Sequence, residues 1–99
     1  MITSLAQFVN IDKSSIEGLN AEVEYLRDTL EVLRATDEIS NDAFLEAGSI
    51  QGGLSLIINL LSQGITGEEA HSQMNSLRGR AESLNQSYPG LDDKIESKR

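Results

Sequence analysis

Apolar residues recur along this chain at intervals of three and four residues, and no stretch alternates apolar with polar residues as a half-buried strand does. This pattern predicts an all-α fold, a small helical bundle. A short N-terminal helix is predicted first, because four apolar residues share one helical face before a polar break at residues 10–13. These residues are Ile2, Leu5, Phe8 and Val9.

The second predicted helix carries the apolar seam of a coiled coil. It begins at Ser14, whose spacing to Glu17 is that of a capping box. The seam residues follow one another at intervals of 3, 4, 3, 4 and 3 over three heptads: Ile16, Leu19, Val23, Leu26, Leu30 and Leu33. Such a seam forms either the core of one chain or a dimer interface, parallel or antiparallel. We expect a homodimer; in a parallel pair, Glu22 of one chain would face Arg27 of the other.

A third helix is predicted from Asn41 to Gln63, after a cap supplied by Asp37 or Ser40. Apolar residues cover more than half of its circumference, which is typical of the buried centre of a bundle. Its three glycines either permit a close helix approach or mark a kink near the second one. They are Gly48, Gly52 and Gly53. Gly64 is the expected stop.

A fourth helix is predicted to begin at Thr66 and reach about Gln86, because Thr66 and Glu69 form a second capping box. The sequence Tyr-Pro-Gly at 88–90 ends it. We therefore expect a single helical domain over residues 1–88, followed by a charged, frayed C-terminal tail over residues 89–99.

The composition limits the classes of partner. Sixteen acidic against eight basic residues give a net charge of −8, which argues against direct nucleic-acid binding and against an anionic membrane. The 21 uncharged residues from Ala47 to Gly67 are long enough to span a bilayer, but polar residues and glycines interrupt them, so no membrane span is expected. No targeting signal is recognisable, and we expect a cytoplasmic protein.

The negative charge is concentrated in the first half of the chain. Residues 12–46 contain ten acidic and three basic residues, a net charge of −7, whereas residues 68–99 contain six and five, a net charge of −1. The predicted partner-binding acidic face consists of Glu17, Glu24, Asp28, Glu31, Asp37 and Glu38. Such a face suits a protein with a basic surface. A solvated helix face that keeps the protein soluble would have the same composition.

Candidate chemistry is sparse. The chain has no cysteine and one histidine, His71, which follows Glu68 at the spacing of half a di-iron ligand set. No second histidine completes the set, so we expect no metal, cofactor or catalytic residues. The sequence favours a non-enzymatic protein-interaction module that binds and modulates another protein. The alternatives are a nucleic-acid mimic that inhibits a DNA- or RNA-binding protein and a small metal-dependent enzyme.

Overall fold

Five α-helices make up the chain in a computed structural model that describes all 99 residues. They are α1 (Ile2–Leu5), α2 (Ile16–Ala35), α3 (Asn41–Ser62), α4 (Gly67–Ser87) and α5 (Leu91–Glu96). A 3-10 turn, Lys13–Ser15, precedes α2. The fold is all-α with a short N-terminal helix, as the apolar spacing predicts.

The helices enclose one core through a closed ring of contacts. α3 packs against both α2 and α4, which hardly touch each other. α5 on α2, α1 on α5 and α1 on α4 complete the ring. The core is a single cluster of 23 buried apolar residues, all of them aliphatic or methionine, while the aromatic side chains pack only at its edge. The molecule measures 40 × 22 × 19 Å.

The apolar seam of α2 lies inside the chain. Its residues from Leu19 to Leu33 are buried, and Ile16 at its start is half-buried. The predicted pairing of two chains through this seam is wrong, because α3 and α5 already cover it. Glu22, expected to face Arg27 of a second chain, is only 6% exposed and bonds within its own chain.

The helix starts follow the capping signals except at α2. The hydroxyl of Ser40 accepts from the Ala43 amide at 3.1 Å and begins α3, which decides between the two candidate caps. The hydroxyl of Thr66 accepts from the Glu69 amide at 3.1 Å and begins α4. The predicted cap at Ser14 is wrong, because the Ser14 amide donates to the Asp12 carboxylate at 2.8 Å and a 3-10 turn forms before α2.

Residues 89–99 are not a frayed tail, and that prediction is wrong. Gly90, at a φ of 88°, turns the chain back so that α5 lies on α1 and α2. Leu91 and Ile95 are four residues apart, share the inner face of α5 and are 3% and 0% exposed. Both ends of the chain therefore contribute buried residues to the core of the domain.

The short helix α1 depends on α5. Asp92 Oδ1 accepts from the Ile2 amide at 2.6 Å, and Oδ2 accepts from the Thr3 hydroxyl at 2.9 Å. This carboxylate replaces the side-chain cap that α1 lacks in its own sequence. Because four residues cannot hold a helix in water, we attribute the stability of α1 to this cap and to packing. Val9, predicted on its apolar face, lies beyond the helix and is 57% exposed.

α3 runs without a break through its glycines. A Cβ at Gly53 would collide with Leu77 of α4, so this glycine permits a close helix approach. By length and composition alone α3 could cross a membrane, although one such helix is a weak indication, since core helices of soluble proteins have the same composition. α3 is buried over less of its circumference than its broad apolar face predicts, because Leu45 and Leu56 are 61% and 54% exposed.

The seam can be tested by truncating one of its fully buried residues. Leu26 is fully buried, so Leu26→Ala should lower the free energy of unfolding by about 2–5 kcal/mol through lost contacts and a cavity. Val32→Ala on the same helix is the control, since Val32 is 51% exposed and its truncation should cost less than about 0.5 kcal/mol. Urea denaturation measures both values. Equal losses would contradict the placement of the seam in the core.

Candidate functional site

Four of the six predicted partner-binding carboxylates form one line on the surface. Glu17, Glu24, Asp28 and Glu31 are exposed and lie on the side of α2 opposite its buried seam. We call these four residues the acidic stripe. The stripe extends over about 21 Å, from the 14 residues between its ends and about 1.5 Å of rise per residue.

Few cations neutralise the acidic stripe. Arg34 donates to Glu31 at 2.9 Å, and Arg27 lies 3.7 Å from Asp28. Glu17 and Glu24 form no ion pair in the chain. Arg34 also stacks on the Phe44 ring, 4.3 Å from its centroid, so it is held towards α3 at the edge of the stripe. The stripe therefore keeps a net negative charge.

The remaining two predicted residues, Asp37 and Glu38, belong to the turn that ends α2. The Glu38 amide donates to the Leu33 carbonyl at 2.9 Å and the Asp37 amide donates to the Arg34 carbonyl at 3.1 Å, as in a Schellman motif. Asp37 occupies the left-handed position of this motif, with a φ of 59°. Glycine occupies the same position after α3, where Gly64 has a φ of 92°.

Glu38 is engaged with the C-terminal segment rather than with the acidic stripe. Its carboxylate accepts from the Thr36 hydroxyl at 2.7 Å and lies 3.5 Å from the Lys98 ammonium. The hydrogen bond from Thr36, helped by Lys98, holds the pKa of Glu38 below its usual value. Lys94 donates to the Glu38 carbonyl at 2.7 Å. This residue therefore fastens α5 to the end of α2.

Glu22 is itself buried and points away from the acidic stripe into a partly buried cluster. Its carboxylate accepts from the Ser4 hydroxyl at 2.6 Å and from Arg99 at 2.7 and 2.8 Å. The Arg99 guanidinium lies over the Tyr25 ring, 4.0 Å from its centroid. Hydrogen bonds to Glu96 and then Glu22 raise the pKa of Arg99 despite its partial burial. This cluster joins α1, α2 and the C-terminal segment.

A second group of charges joins the two ends of the chain. The amino group of Met1 contacts Asp92 at 2.9 Å and also donates to Glu96. Burial would raise the pKa of both carboxyl groups, but hydrogen bonds from Met1 and from Thr3 or Arg99 outweigh it and lower both pKa values. The ionised carboxylates are therefore the forms that stabilise the fold.

The pair of Glu68 and His71 does not assemble a metal site. Both line a shallow cleft of about 380 Å³ beside Asp12, at the start of α4. No group of three histidine, aspartate or glutamate side chains in the chain is arranged to hold a metal ion. The half motif in the sequence therefore gains no further ligands from the fold.

The largest cleft lies between α3 and α4 and encloses about 760 Å³. Four serines line it, and Arg80 donates to one of them, Ser49, at 2.8 Å. Glu46 also lines the cleft, and its hydrogen bond raises the pKa of the neighbouring Tyr88 phenol. His71, the single histidine of the chain, lies in the cleft beside Asp12. The serines of the α3/α4 cleft therefore have no histidine to activate them.

Sequence reasoning missed two features of the surface and the interior. It did not find the Glu22–Arg99 pair, whose members are 77 residues apart and have no shared local pattern. It also predicted α3 as the buried centre of the bundle from its broad apolar face, and did not find the exposed side that carries Leu45 and Leu56.

Comparison of the chain with protein-family models, with curated proteins and with solved structures finds no match.

The Schellman position of Asp37 leads to a stability prediction. Asp37→Gly should raise the free energy of unfolding by up to about 1 kcal/mol, because glycine adopts positive φ without a side-chain clash. Gly64→Ala, the reverse change in the matching turn, should lower it. Thermal denaturation of both variants checks the signs. A loss of stability in Asp37→Gly would mean that the carboxylate makes a contact worth more than the backbone strain.

The pair of the buried Glu22 and the partly exposed Arg99 leads to another prediction. Arg99→Met should lower the free energy of unfolding by about 1–3 kcal/mol, because it leaves a buried carboxylate with one hydrogen-bond donor. The double variant Glu22→Met/Arg99→Met should recover part of this loss, since it removes the uncompensated charge. Urea denaturation of the single and double variants measures the coupling. Strictly additive losses would contradict the pairing.

Proposed function

We propose that this protein is a non-enzymatic interaction module that binds the basic surface of another protein through the acidic stripe of α2 and thereby modulates that protein. The observation that carries the proposal is the line of four exposed carboxylates opposite the seam, two of which have no cation in the chain. A binding surface made in this way needs no catalytic group and no cofactor.

The stripe is not explained by the stability of the fold. Like charges along one helix face repel one another, and the exposed pairs with Arg27 and Arg34 offset this repulsion only slightly. Asp37 adds negative charge at the C-terminal end of α2, where the helix dipole disfavours it and where glycine would fit the backbone better. These residues therefore carry a cost to stability that a partner with basic residues would offset.

The stripe suits recognition by charge more than by burial of apolar surface. Val32 is the large apolar residue exposed on α2, and it is flanked by Glu31 and Asp28. Exposed charges act mainly by accelerating the encounter of complementary surfaces. We therefore expect an association that is fast, specific for basic surfaces and weakened by salt.

The nucleic-acid mimic is supported less well. Duplex DNA has one negative charge for about every 1.7 Å of its axis. The acidic stripe has four charges over about 21 Å. Glu22 and Glu38 would raise the density of negative charge beside the stripe, but they pair with Arg99 and Lys98 instead. A protein surface with a few spaced basic residues matches the stripe more closely than a nucleic-acid groove does.

Location and self-association complete the proposal. A compact, acidic helical protein of this kind fits the cytoplasm. A homodimer remains part of the proposal, but it requires a surface other than the α2 seam.

Charge reversal on the stripe tests the proposed function. A partner is captured from an extract of the source cells on the immobilised chain, identified by mass spectrometry and purified. Glu24→Lys/Glu31→Lys should then raise its Kd at least about tenfold, equivalent to about 1.4 kcal/mol, and flatten the dependence of Kd on salt. Calorimetry at several salt concentrations measures both effects.

Matched single variants separate a local effect from the effect of net charge. Glu24 and Glu82 are both exposed, in the middle of a helix and without an ion pair, so Glu24→Lys and Glu82→Lys change the net charge equally. Only Glu24→Lys should weaken binding. An equal effect of the two variants, or an unchanged Kd and salt dependence in the double variant, would show that the stripe is merely solvated.

A further inference from the structure

The outer side of α3 carries uncharged residues that are largely open to solvent, and Arg80 of α4 contacts it at Ser49. We call Leu45, Gly48, Ser49, Gly52 and Leu56 the outer face of α3. The two leucines are more than half exposed, and no residue from Ala47 to Gly67 carries a charge. Of the residues in the most apolar stretch of α3, 33% are buried. This helix therefore has more apolar surface than the fold uses.

Two glycines on this face have no role inside the chain. Glycine in the middle of a helix is unfavourable, by roughly 1 kcal/mol relative to alanine. At Gly53 the reason is clear, because a side chain would collide with Leu77. At Gly48 and Gly52 a Cβ would meet nothing within 4 Å, and neither has a positive φ. Such glycines, four residues apart on an open face, are suited to the close approach of another helix.

The outer face has a near-symmetrical pattern along the helix. Leu45, Ser49, Gly52 and Leu56 are spaced by 4, 3 and 4 residues, so large residues stand at both ends and small ones in the middle. Turning α3 end for end about the point between residues 50 and 51 places Leu45 on Leu56 and Ser49 on Gly52. A surface that matches itself under a two-fold rotation is what an isologous dimer requires.

Charge also favours a second copy in the antiparallel orientation. Two chains of net charge −8 repel each other over most of their surfaces, and this face is where they can meet without opposing carboxylates. An antiparallel pair sets the acidic N-terminal end of α3, with Asp42 and Glu46, near the uncharged end with Asn59 of the partner. A parallel pair would oppose like charges and like helix dipoles. Arg80, which forms no ion pair in the chain, lies beside Ser49 and adds a cation to this side.

We propose that the outer face of α3 is the interface of an antiparallel homodimer, with the two-fold axis near Ser49 and Gly52. The proposal is independent of the binding of a basic partner, because the acidic stripe lies on α2. The stretch from Leu45 to Leu56 covers about 16 Å of helix at about 1.5 Å per residue, so we expect a dimer that dissociates on dilution.

Sedimentation velocity over a range of concentrations tests the interface. The wild-type chain should shift from monomer to dimer as its concentration rises towards about 1 mM. Leu45→Lys/Leu56→Lys should raise the dimer Kd at least about tenfold, because forming the dimer would then bury two ammonium groups of each chain. The single variants Leu56→Lys and Val32→Lys are matched in charge, and because Val32 is an exposed apolar residue on α2, only Leu56→Lys should raise the Kd. A wild-type monomer throughout, or equal effects of both variants, would overturn the proposal.

The glycines provide a second test in which folding and dimerisation change in opposite directions. Gly48→Ala/Gly52→Ala should raise the Tm of the monomer, because alanine favours the helix and meets no neighbour, and should weaken the dimer several-fold. Gly18→Ala on α2, where the Cβ would lie at van der Waals distance from Phe8, should also raise the Tm but leave the dimer unchanged. A higher Tm with an unaltered dimer Kd would contradict a close helix approach at this face.

Engineered cysteines test the orientation, since the natural chain has none. A mixture of the single variants Leu45→Cys and Leu56→Cys should oxidise mainly to the mixed disulfide, as an antiparallel pair requires. Disulfides within each single variant would indicate a parallel pair and overturn the stated geometry. Flotation of the monomer with phosphatidylcholine vesicles, lost in Leu45→Lys/Leu56→Lys, would assign the face to a lipid surface instead of a second copy.

Discussion

The fold depends on closing the open side of its three long helices. α2 and α4 both pack on α3 but hardly on each other, so the core between them would face water without a further cover. The two ends of the chain supply this cover together, because neither α1 nor α5 is long enough to hold its shape alone. The Asp92 carboxylate caps α1, and in return α1 gives α5 a surface on which to pack. The free energy of unfolding of a small domain with an aliphatic core is small. Losing the cover that α1 and α5 provide would therefore destabilise the entire fold.

The charges of the chain divide into two groups with different tasks. At the chain ends, carboxylates and cations pair over long sequence separations and fasten α5, as in Glu22 with Arg99 and Glu38 with Lys98. On the opposite side of α2, Glu17 and Glu24 have no such partner. The excess of acid is therefore not spread evenly, because Lys98 and Arg99 already pair with Glu38 and Glu22 of the same chain. This separation leaves the acidic stripe with a negative charge that the chain does not neutralise.

The two sides of α3 differ in their surroundings, because one is buried in the core and the other exposes leucines to water. Its inner face is the centre of the core and needs a long apolar helix, and Gly53 lets Leu77 of α4 approach it closely. Its outer face combines two exposed leucines with small uncharged residues, and within the chain only Arg80 is hydrogen-bonded to it, at Ser49. The glycines thus separate into one that the fold requires and two that it does not. Self-association through α3 would explain why glycine stands at positions 48 and 52. It would also leave the acidic stripe of α2 free to bind a partner.

The sequence by itself determined the local features of this protein. The three- and four-residue spacing established that the fold is all-α, and the hydroxyl of Thr66 and the glycine at position 64 marked helix boundaries, because capping and periodicity involve residues within a few positions of each other. The apolar periodicity also identified the seam from Leu19 to Leu33, and helical spacing alone placed Glu17, Glu24, Asp28 and Glu31 on one line.

Only the tertiary structure decided what each helical face meets. The seam of α2 fits a coiled-coil dimer and a single-chain core equally well by sequence, and the choice rests on α3 and α5 being there to cover it. The sequence after Pro89 predicts a charged tail. In the structure its cations pair with Glu22 and Glu38, which are more than 50 residues away in the chain. Asp92 caps a helix 90 residues distant. Such contacts depend on packing in three dimensions, and no local pattern of residues specifies them.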